Sequence, residues 1–256
     1  MGVLEQKRRI LITGASRGIG RATALALASR GHEVILAARD EARLQEVAAA
    51  IRGHVEIAPM DLCDEASVRG AIDQLLARGP IDVLVNNAGC ASQATFLDQS
   101  EATQRNEMEL NYFGVLRVTR ALLPSFIARK RGQIVNVSSI LGSVGAPTLA
   151  SYGASKAALE NFSQALAGEV ARFGIRVTVF VAPHTQTELG QRIAFRGVHS
   201  LPAEYVAKEL VHAIDHAPPR YAASPVYRML LRVAAWFPRF TQRRVAASVS
   251  HLLSAE

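Results

Sequence analysis

Two cysteines in 256 residues, Cys63 and Cys90, form no CxxC pair and have no histidine cluster beside them. Neither a zinc site nor a disulfide framework is therefore expected, and both read as small buried thiols. Long apolar runs are also missing: Arg or Lys interrupts every candidate before the ~18 to 20 residues that a membrane-spanning helix needs. Met1 to Arg9 lead into a short strand-like run and not into the apolar segment of a secretory signal. Gly2 lacks the myristoylation context, since position 6 is Gln where that motif has Ser or Thr. A cytoplasmic protein is the expectation. Internal repeats, linkers and low-complexity stretches are absent, and at this length one core can bury most of the apolar surface, so a single domain is expected. Acids are scarce at one end: residues 217–256 hold six arginines against Glu256 alone, so most of the formal net charge of +7 lies there.

With 49% apolar residues, intrinsic disorder is excluded as the main state. The pattern predicts strands at Arg9–Ile12, Glu33–Ala38, His54–Ala58, Ile81–Val85, Gln133–Val137 and Arg176–Val181. Helical patterns alternate with them at Gly18–Ser29, Glu41–Ile51, Glu65–Ala77, Glu107–Arg129 and Tyr152–Arg172. Strands that are almost wholly apolar belong to a parallel sheet covered on both faces. Repeated strand and helix units give an α/β, doubly wound parallel sheet in three layers, with ligands beyond the carboxyl ends of the strands.

The first such end carries Thr13-Gly-Ala-Ser-Arg-Gly-Ile-Gly20, a turn between strand and helix. Its glycines, Gly14, Gly18 and Gly20, can bring backbone N–H groups against a pyrophosphate at a helix N-terminus. The second strand ends at Arg39 and Asp40. An acid about 20 positions after the glycines favours NAD, but Asp40 is more simply the N-cap of the next helix. Arg17 and Arg39 are two cations able to converge on a 2′-phosphate, so NADP(H) is preferred, with NAD(H) the alternative.

Tyr152-Gly-Ala-Ser-Lys156 places a phenol and an ammonium one turn apart on one helix face. A phenol has an ordinary pKa of ~10, and a nearby cation favours the phenolate. Ser138 and Ser139 end the fifth strand, at the edge where this fold binds ligands, and Asn111 is a poor helix former inside a helical pattern.

Together these motifs resemble the short-chain dehydrogenases/reductases, over roughly residues 8 to 190 and in the family's order. The turn Thr13–Gly20 matches the family's TGxxxGxG, and Asn86-Asn-Ala-Gly89 its NNAG. Asn111, Ser139, Tyr152 and Lys156 match its Asn-Ser-Tyr-Lys tetrad; the offset to Tyr152 selects Ser139 over Ser138. Asp61, followed by Leu62, resembles its adenine-contacting position. The resemblance implies a Rossmann-like fold and hydride transfer between a nicotinamide and a carbonyl or carbinol carbon. Tyr152 would exchange the proton, Ser139 would stabilise the substrate oxygen, Lys156 would hold the ribose and lower the Tyr152 pKa, and Asn111 would anchor a relay water. Cofactor contacts are implied at Gly14, Ser16, Arg17, Gly18, Ile19, Gly20, Arg39, Asp61, Leu62, Asn87, Ala88, Gly89, Tyr152, Lys156, Pro183, Thr185 and Thr187. A homodimer or homotetramer is the implied assembly, although the Asp-Gly-Gly that commonly ends the last strand in bacterial relatives is absent. Tyr221–Ser224 is the strand candidate in its place. A non-catalytic NADP-binding regulatory or scaffold protein is the alternative function.

Departures cluster near the end. After Pro183 the family's usual glycine is His184, and Thr185 and Thr187 stand nearer to the proline than the family's threonine does. The division expected is a catalytic body at 1–216 and a basic amphipathic helical extension at 217–256. Within residues 225–247, Tyr227 to Phe237 and Arg239 to Ala247 alternate apolar residues with arginines. Two readings fit: a helix pair against an anionic membrane surface, making the protein peripheral to a membrane's inner face, or a cover over a lipophilic substrate. Nucleic acid is not an expected partner, because the charge is not interleaved with aromatics and no nucleic-acid motif is present.

Overall fold

A computed structural model of the chain describes residues 7–253, with side-chain surroundings through residue 249; Gly2, Gln6 and Glu256 lie outside. Its main sheet has seven parallel strands: β1 (Arg9–Thr13), β2 (Glu33–Ala38), β3 (Val55–Pro59), β4 (Val83–Asn86), β5 (Gly132–Ser139), β6 (Ile175–Ala182) and β9 (Arg220–Ala222). Their spatial order is β3-β2-β1-β4-β5-β6-β9. The chain reverses its winding between β1 and β4, and such a switch point opens a crevice beyond the strand ends.

Successive residues of each strand point to opposite faces, and both faces are covered. One face, with Ile10, Ile12, Val34 and Leu36, packs against Leu27 of α1 (Gly18–Ser29), Leu44 of α2 (Glu41–Ala49) and Val206, Leu210 and Ile214 of α8 (Ala203–His216). The opposite face, with Leu11, Ile35, Leu84 and Ile134, meets Ile72 of α3 (Glu65–Ala77), Phe126 of α5 (Gly114–Arg129) and Leu166 of α6 (Ala150–Val170). A fully buried Leu, Ile or Phe contributes about 1.5–3 kcal/mol, so these two layers carry the fold. Polar starts set the helices: Asp40 accepts from the Arg43 amide at 3.1 Å, as its position before α2 predicts, and Asp64 caps α3 in the same way.

Most predicted boundaries shift by two residues or fewer. The single helix expected over Glu107–Arg129 is instead three pieces: α4 (Glu101–Met108), a π turn at Glu109–Phe113 and α5. Asn111 lies in that π turn, and such bulges concentrate at functional sites. The strand candidate near Tyr221 forms β9, which pairs with β6 through Val179–Arg220 to Val181–Ala222, so the sheet takes in residues beyond 216. Two short strands, β7 (Thr185–Gln186) and β8 (Leu201–Pro202), pair beside α7 (Glu188–Gln191). The extension forms α9 (Pro225–Trp236) and α10 (Pro238–Leu253). No helix among the described residues is long and apolar enough to cross a membrane. Cys63 and Cys90 are free and half-buried, not buried, because both sit on segments that border the crevice.

Candidate active site

A cavity of ≈ 690 Å³ occupies the crevice and runs from the β1–α1 turn to the extension. Gly14, Ser16, Arg17, Gly18 and Ile19 line it at the turn. The turn is fastened to the end of β4: Asn87 donates its side-chain amide to the Thr13 carbonyl at 3.0 Å and to the Gly14 carbonyl at 3.2 Å. The Asn87 and Ala88 amides both donate to the Thr13 hydroxyl, at 3.0 and 3.2 Å. Gly14 has φ +66°, and a Cβ there would lie 2.8 Å from the Ala88 Cα. Gly20 does not line the cavity; a Cβ on it would lie 2.3 Å from the Gly14 carbonyl, so it is the residue that lets α1 close on the turn. Ala88 and Gly89 continue the wall, and Asn86 beneath them donates to Asn136 at 2.8 Å.

Beyond β2 and β3, Arg39, Asp61 and Leu62 line the same cavity. The Asp61 carboxylate accepts from the Cys63 amide at 3.0 Å, which fixes its loop, and the Leu62 carbonyl accepts from Arg117. Arg17 departs from the expected convergence with Arg39. It donates to Glu188 of α7 at 2.5 Å, and Arg43 reaches the same carboxylate at 3.3 Å. The hydrogen bond from Arg17 holds the Glu188 carboxyl below its ordinary range. Two cations at one mouth favour a carboxylate between them, and Glu188 supplies it. Arg39 forms no ion pair among the described residues.

At the carboxyl end of β5, the two serines part. Both line the cavity, but Ser138 donates to Glu160 at 2.8 Å, whereas Ser139 accepts from the Leu141 amide at 3.2 Å and stands near enough to the Tyr152 phenol to lower its pKa. The Lys156 ammonium lies 5.9 Å from the Tyr152 ring centre and donates to the Val137 carbonyl at 2.9 Å. Burial pushes the Tyr152 phenol up to about 12, against the lowering effect of the Ser139 hydroxyl. Burial brings the Lys156 ammonium down to about 8. The expected lowering of the tyrosine by Lys156 is thus not what the protein alone produces: loss of water outweighs a cation turned toward a carbonyl. Asn111 stands behind the cavity wall, fully buried. It accepts from the Cys90 amide at 2.9 Å and donates to the Cys90 carbonyl at 2.9 Å and to Ser155 at 3.0 Å. Ser139, Tyr152 and Lys156 meet in the cavity, and Asn111 holds the segment that frames them.

Pro183, Thr185 and Thr187 also line the cavity. Thr185 donates to the Pro183 carbonyl at 2.8 Å, and Thr187 caps α7 by accepting from the Gly190 amide at 3.0 Å. The His184 ring meets Phe195 edge to face at 5.6 Å, and burial lowers its pKa. The last wall is the extension: Tyr227 and Leu230 of α9, with Thr241, Val245 and Ser248 of α10. Motif reasoning could not find these, because no local pattern says which face of an amphipathic helix meets a distant strand end. Glu107 was missed likewise. It is a buried carboxylate that accepts from the Ser92 amide at 2.6 Å and from the Ser151 hydroxyl, next to Tyr152.

A turn with no room for Cβ atoms, cations at one end and a buried phenol–hydroxyl pair at the other fit an extended phosphate-bearing dinucleotide with a carbonyl or alcohol beyond it. Among the described residues no cluster of His, Cys, Asp or Glu could hold a metal ion. A family model described as short chain dehydrogenase matches residues 8–195. The chain is 38% identical over 219 residues to fatty acyl-CoA reductase of Acinetobacter baylyi, covering 83% of this chain and 74% of that one. It is 35% identical to dehydrogenase/reductase SDR family member 7B of Mus musculus, but spans only 58% of that protein's length. A solved short chain dehydrogenase from Burkholderia cenocepacia, in complex with NADP, superposes with a TM-score of 0.81 at 26% identity, covering 97% of this chain and 98% of its own. Sequence match, fold and the crevice at the switch point agree that the chain belongs to the short-chain dehydrogenase/reductase family of nicotinamide-dependent oxidoreductases.

Proposed function

We propose that the chain is an NADP(H)-dependent oxidoreductase that interconverts a carbonyl and an alcohol on a small to medium lipophilic substrate. The observation that carries this reading is the convergence of Ser139, Tyr152 and Lys156 on one cavity, with the Lys156 ammonium 5.9 Å from the Tyr152 ring centre. When bound, the nicotinamide supplies or accepts the hydride. The protein's own part is placement and proton handling. In the reductive direction the Tyr152 hydroxyl, kept protonated by burial, donates to the substrate oxygen. The Ser139 hydroxyl donates a second hydrogen bond to the same oxygen as negative charge grows there. Lys156 is placed to meet ribose hydroxyls, and its proximity restores a proton path to Tyr152. Asn111, through Cys90 and Ser155, holds the wall behind Lys156, the position from which a relay water is anchored.

The glycine turn, with Ser16 and Ile19, fits the pyrophosphate, and Asp61 and Leu62 fit the adenine side. Ala88, Gly89, Pro183, Thr185 and Thr187 flank the nicotinamide end. Arg39, together with Arg17 once it exchanges Glu188 for a phosphate, supports NADP(H) over NAD(H). The relative named a fatty acyl-CoA reductase and the apolar wall of Leu230 and Val245 support a lipophilic substrate. The division proposed is a catalytic body that takes in β9 and a helical extension, α9 and α10, that closes the cavity, in a homodimer or homotetramer. The setting proposed is the cytoplasm, peripheral to a membrane's inner face. Tyr152→Phe tests the reading. Turnover of an aldehyde or ketone substrate, followed by NADPH absorbance, should fall at least about 100-fold with NADPH affinity within about twofold. Retained turnover would remove Tyr152 as the acid.

A further inference from the structure

The two helices of the extension have a second apolar side. On α9, Tyr227 and Leu231 face inward and pack against Val179, Val181 and Ala222. Val226, Met229, Leu230, Val233 and Phe237 recur at three- and four-residue steps and form another stripe along the helix, joined at its end by Trp236 and by Phe240 of α10. Much of this stripe is bare: Trp236 is 81% exposed, Val226 73%, Phe237 63%, and Met229 and Phe240 59% each. Contiguous aromatic and aliphatic surface of this kind marks a contact site. Beside it stand Arg228, Arg232, Arg239, Arg243 and Arg244, all exposed, and residues 217–249 contain no Asp or Glu. Among the described residues Arg232, Arg239, Arg243 and Arg244 form no ion pair.

Charge decides the occupant. A second copy of the chain laid on this surface would bring the same arginines against each other with no acid on either side, which is repulsive. A layer of anionic lipid headgroups supplies the missing countercharge over the whole surface. It also takes Trp and Phe at the depth where their rings rest, while arginine stems reach out to phosphates. We infer that the outer face of α9 and α10, centred on Met229, Trp236, Phe237 and Phe240, docks onto an anionic membrane surface.

The inner side of the same helices is the cavity wall, through Tyr227, Leu230, Thr241, Val245 and Ser248. Docking therefore sets the substrate end of the cavity against the lipid, with Leu230 common to the stripe and the wall. A lipophilic carbonyl or alcohol would then reach Tyr152 from the bilayer surface without crossing water. This delivery step rests on the function proposed above, whereas the docking itself does not.

Trp236 is the single tryptophan of the chain and reports directly. Full-length protein would be mixed with vesicles of phosphatidylcholine alone, and with vesicles of phosphatidylcholine and phosphatidylglycerol. The expected result is a blue shift of Trp236 emission and co-sedimentation with the anionic vesicles only, both weakened by added salt. Arg239→Gln/Arg243→Gln/Arg244→Gln should reduce vesicle binding by about two orders of magnitude, at roughly fivefold per arginine. Met229→Glu/Phe237→Glu should reduce it similarly by removing the apolar anchor. Both variants should keep the far-ultraviolet circular dichroism and the turnover of a water-soluble substrate. No shift on either vesicle, equal binding to both, or loss of a self-associated state in Met229→Glu/Phe237→Glu without any vesicle binding would overturn the docking surface. Turnover lost in wild type as well as variants would instead fall on the proposed reaction and leave the vesicle result standing.

Discussion

At one end of the cavity, Gly14, Thr13, Asn87 and Ala88 are tied together by four hydrogen bonds between backbone and side chains. At the other end, α9 and α10 touch the sheet through few side chains, and of their described residues only Thr241 and Val249 are fully buried. The first end has no volume to spare and admits one backbone shape; the second is a wall of mostly half-buried and exposed side chains. In the function proposed, the dinucleotide meets the closely tied end and the substrate meets the sparsely packed one. The same sparse burial leaves α9 and α10 an exposed outer face.

Substituting one residue at each end should break or sharpen this contrast. Gly14→Ala forces a non-glycine residue to φ +66° and a Cβ to 2.8 Å from Ala88. It is expected to cost about 1–3 kcal/mol of stability and to weaken cofactor binding at least tenfold in a fluorescence titration. Val245→Ala in the wall should stay below about 1.5 kcal/mol and shift KM rather than cofactor affinity. Comparable losses at both ends would end the comparison.

Lys156 lies between the two ends and gives a pH signature. Its folded pKa is about 8 and its unfolded one is near 10.5. Between those values the unfolded chain binds the proton and the folded chain does not, so unfolding free energy rises with pH across that window. Thermal midpoints measured from pH 8 to 10 should include a rise of a few degrees that Lys156→Met removes. An identical slope in the variant would show that another group titrates there.

Glu188 joins the ends, since it belongs to α7 on the substrate side and holds Arg17 on the turn. If a 2′-phosphate takes Arg17 from Glu188, Glu188→Gln should tighten NADPH by up to about fivefold, the scale of an exposed ion pair, and leave NADH nearly unchanged. Equal gains for both cofactors would place the competition at the pyrophosphate, and no gain would remove it.

Much of this molecule is legible in the chain because its signals are short-range. An apolar run such as Val83–Asn86 can only be a covered strand, Asp40 before Glu41 is a cap, and Tyr152 and Lys156 share a helix face by spacing alone. What was not legible depends on distant partners. The π turn around Asn111 is hidden in a helical pattern, and the burial of Glu107 depends on Ser92 and Ser151. The partner of Arg17 stands at residue 188, far along the chain.

By itself the sequence determined the order of strands and helices, the glycine turn, and the phenol and ammonium on one helix. Those follow from propensity and periodicity within a few residues. Only the tertiary structure decided that Arg17 pairs with Glu188, that burial raises the Tyr152 phenol, and that one side of the basic extension walls the cavity. Each of these is set by which surfaces are brought together and how much water is excluded, and neither quantity exists until the sheet, its helices and the extension have packed.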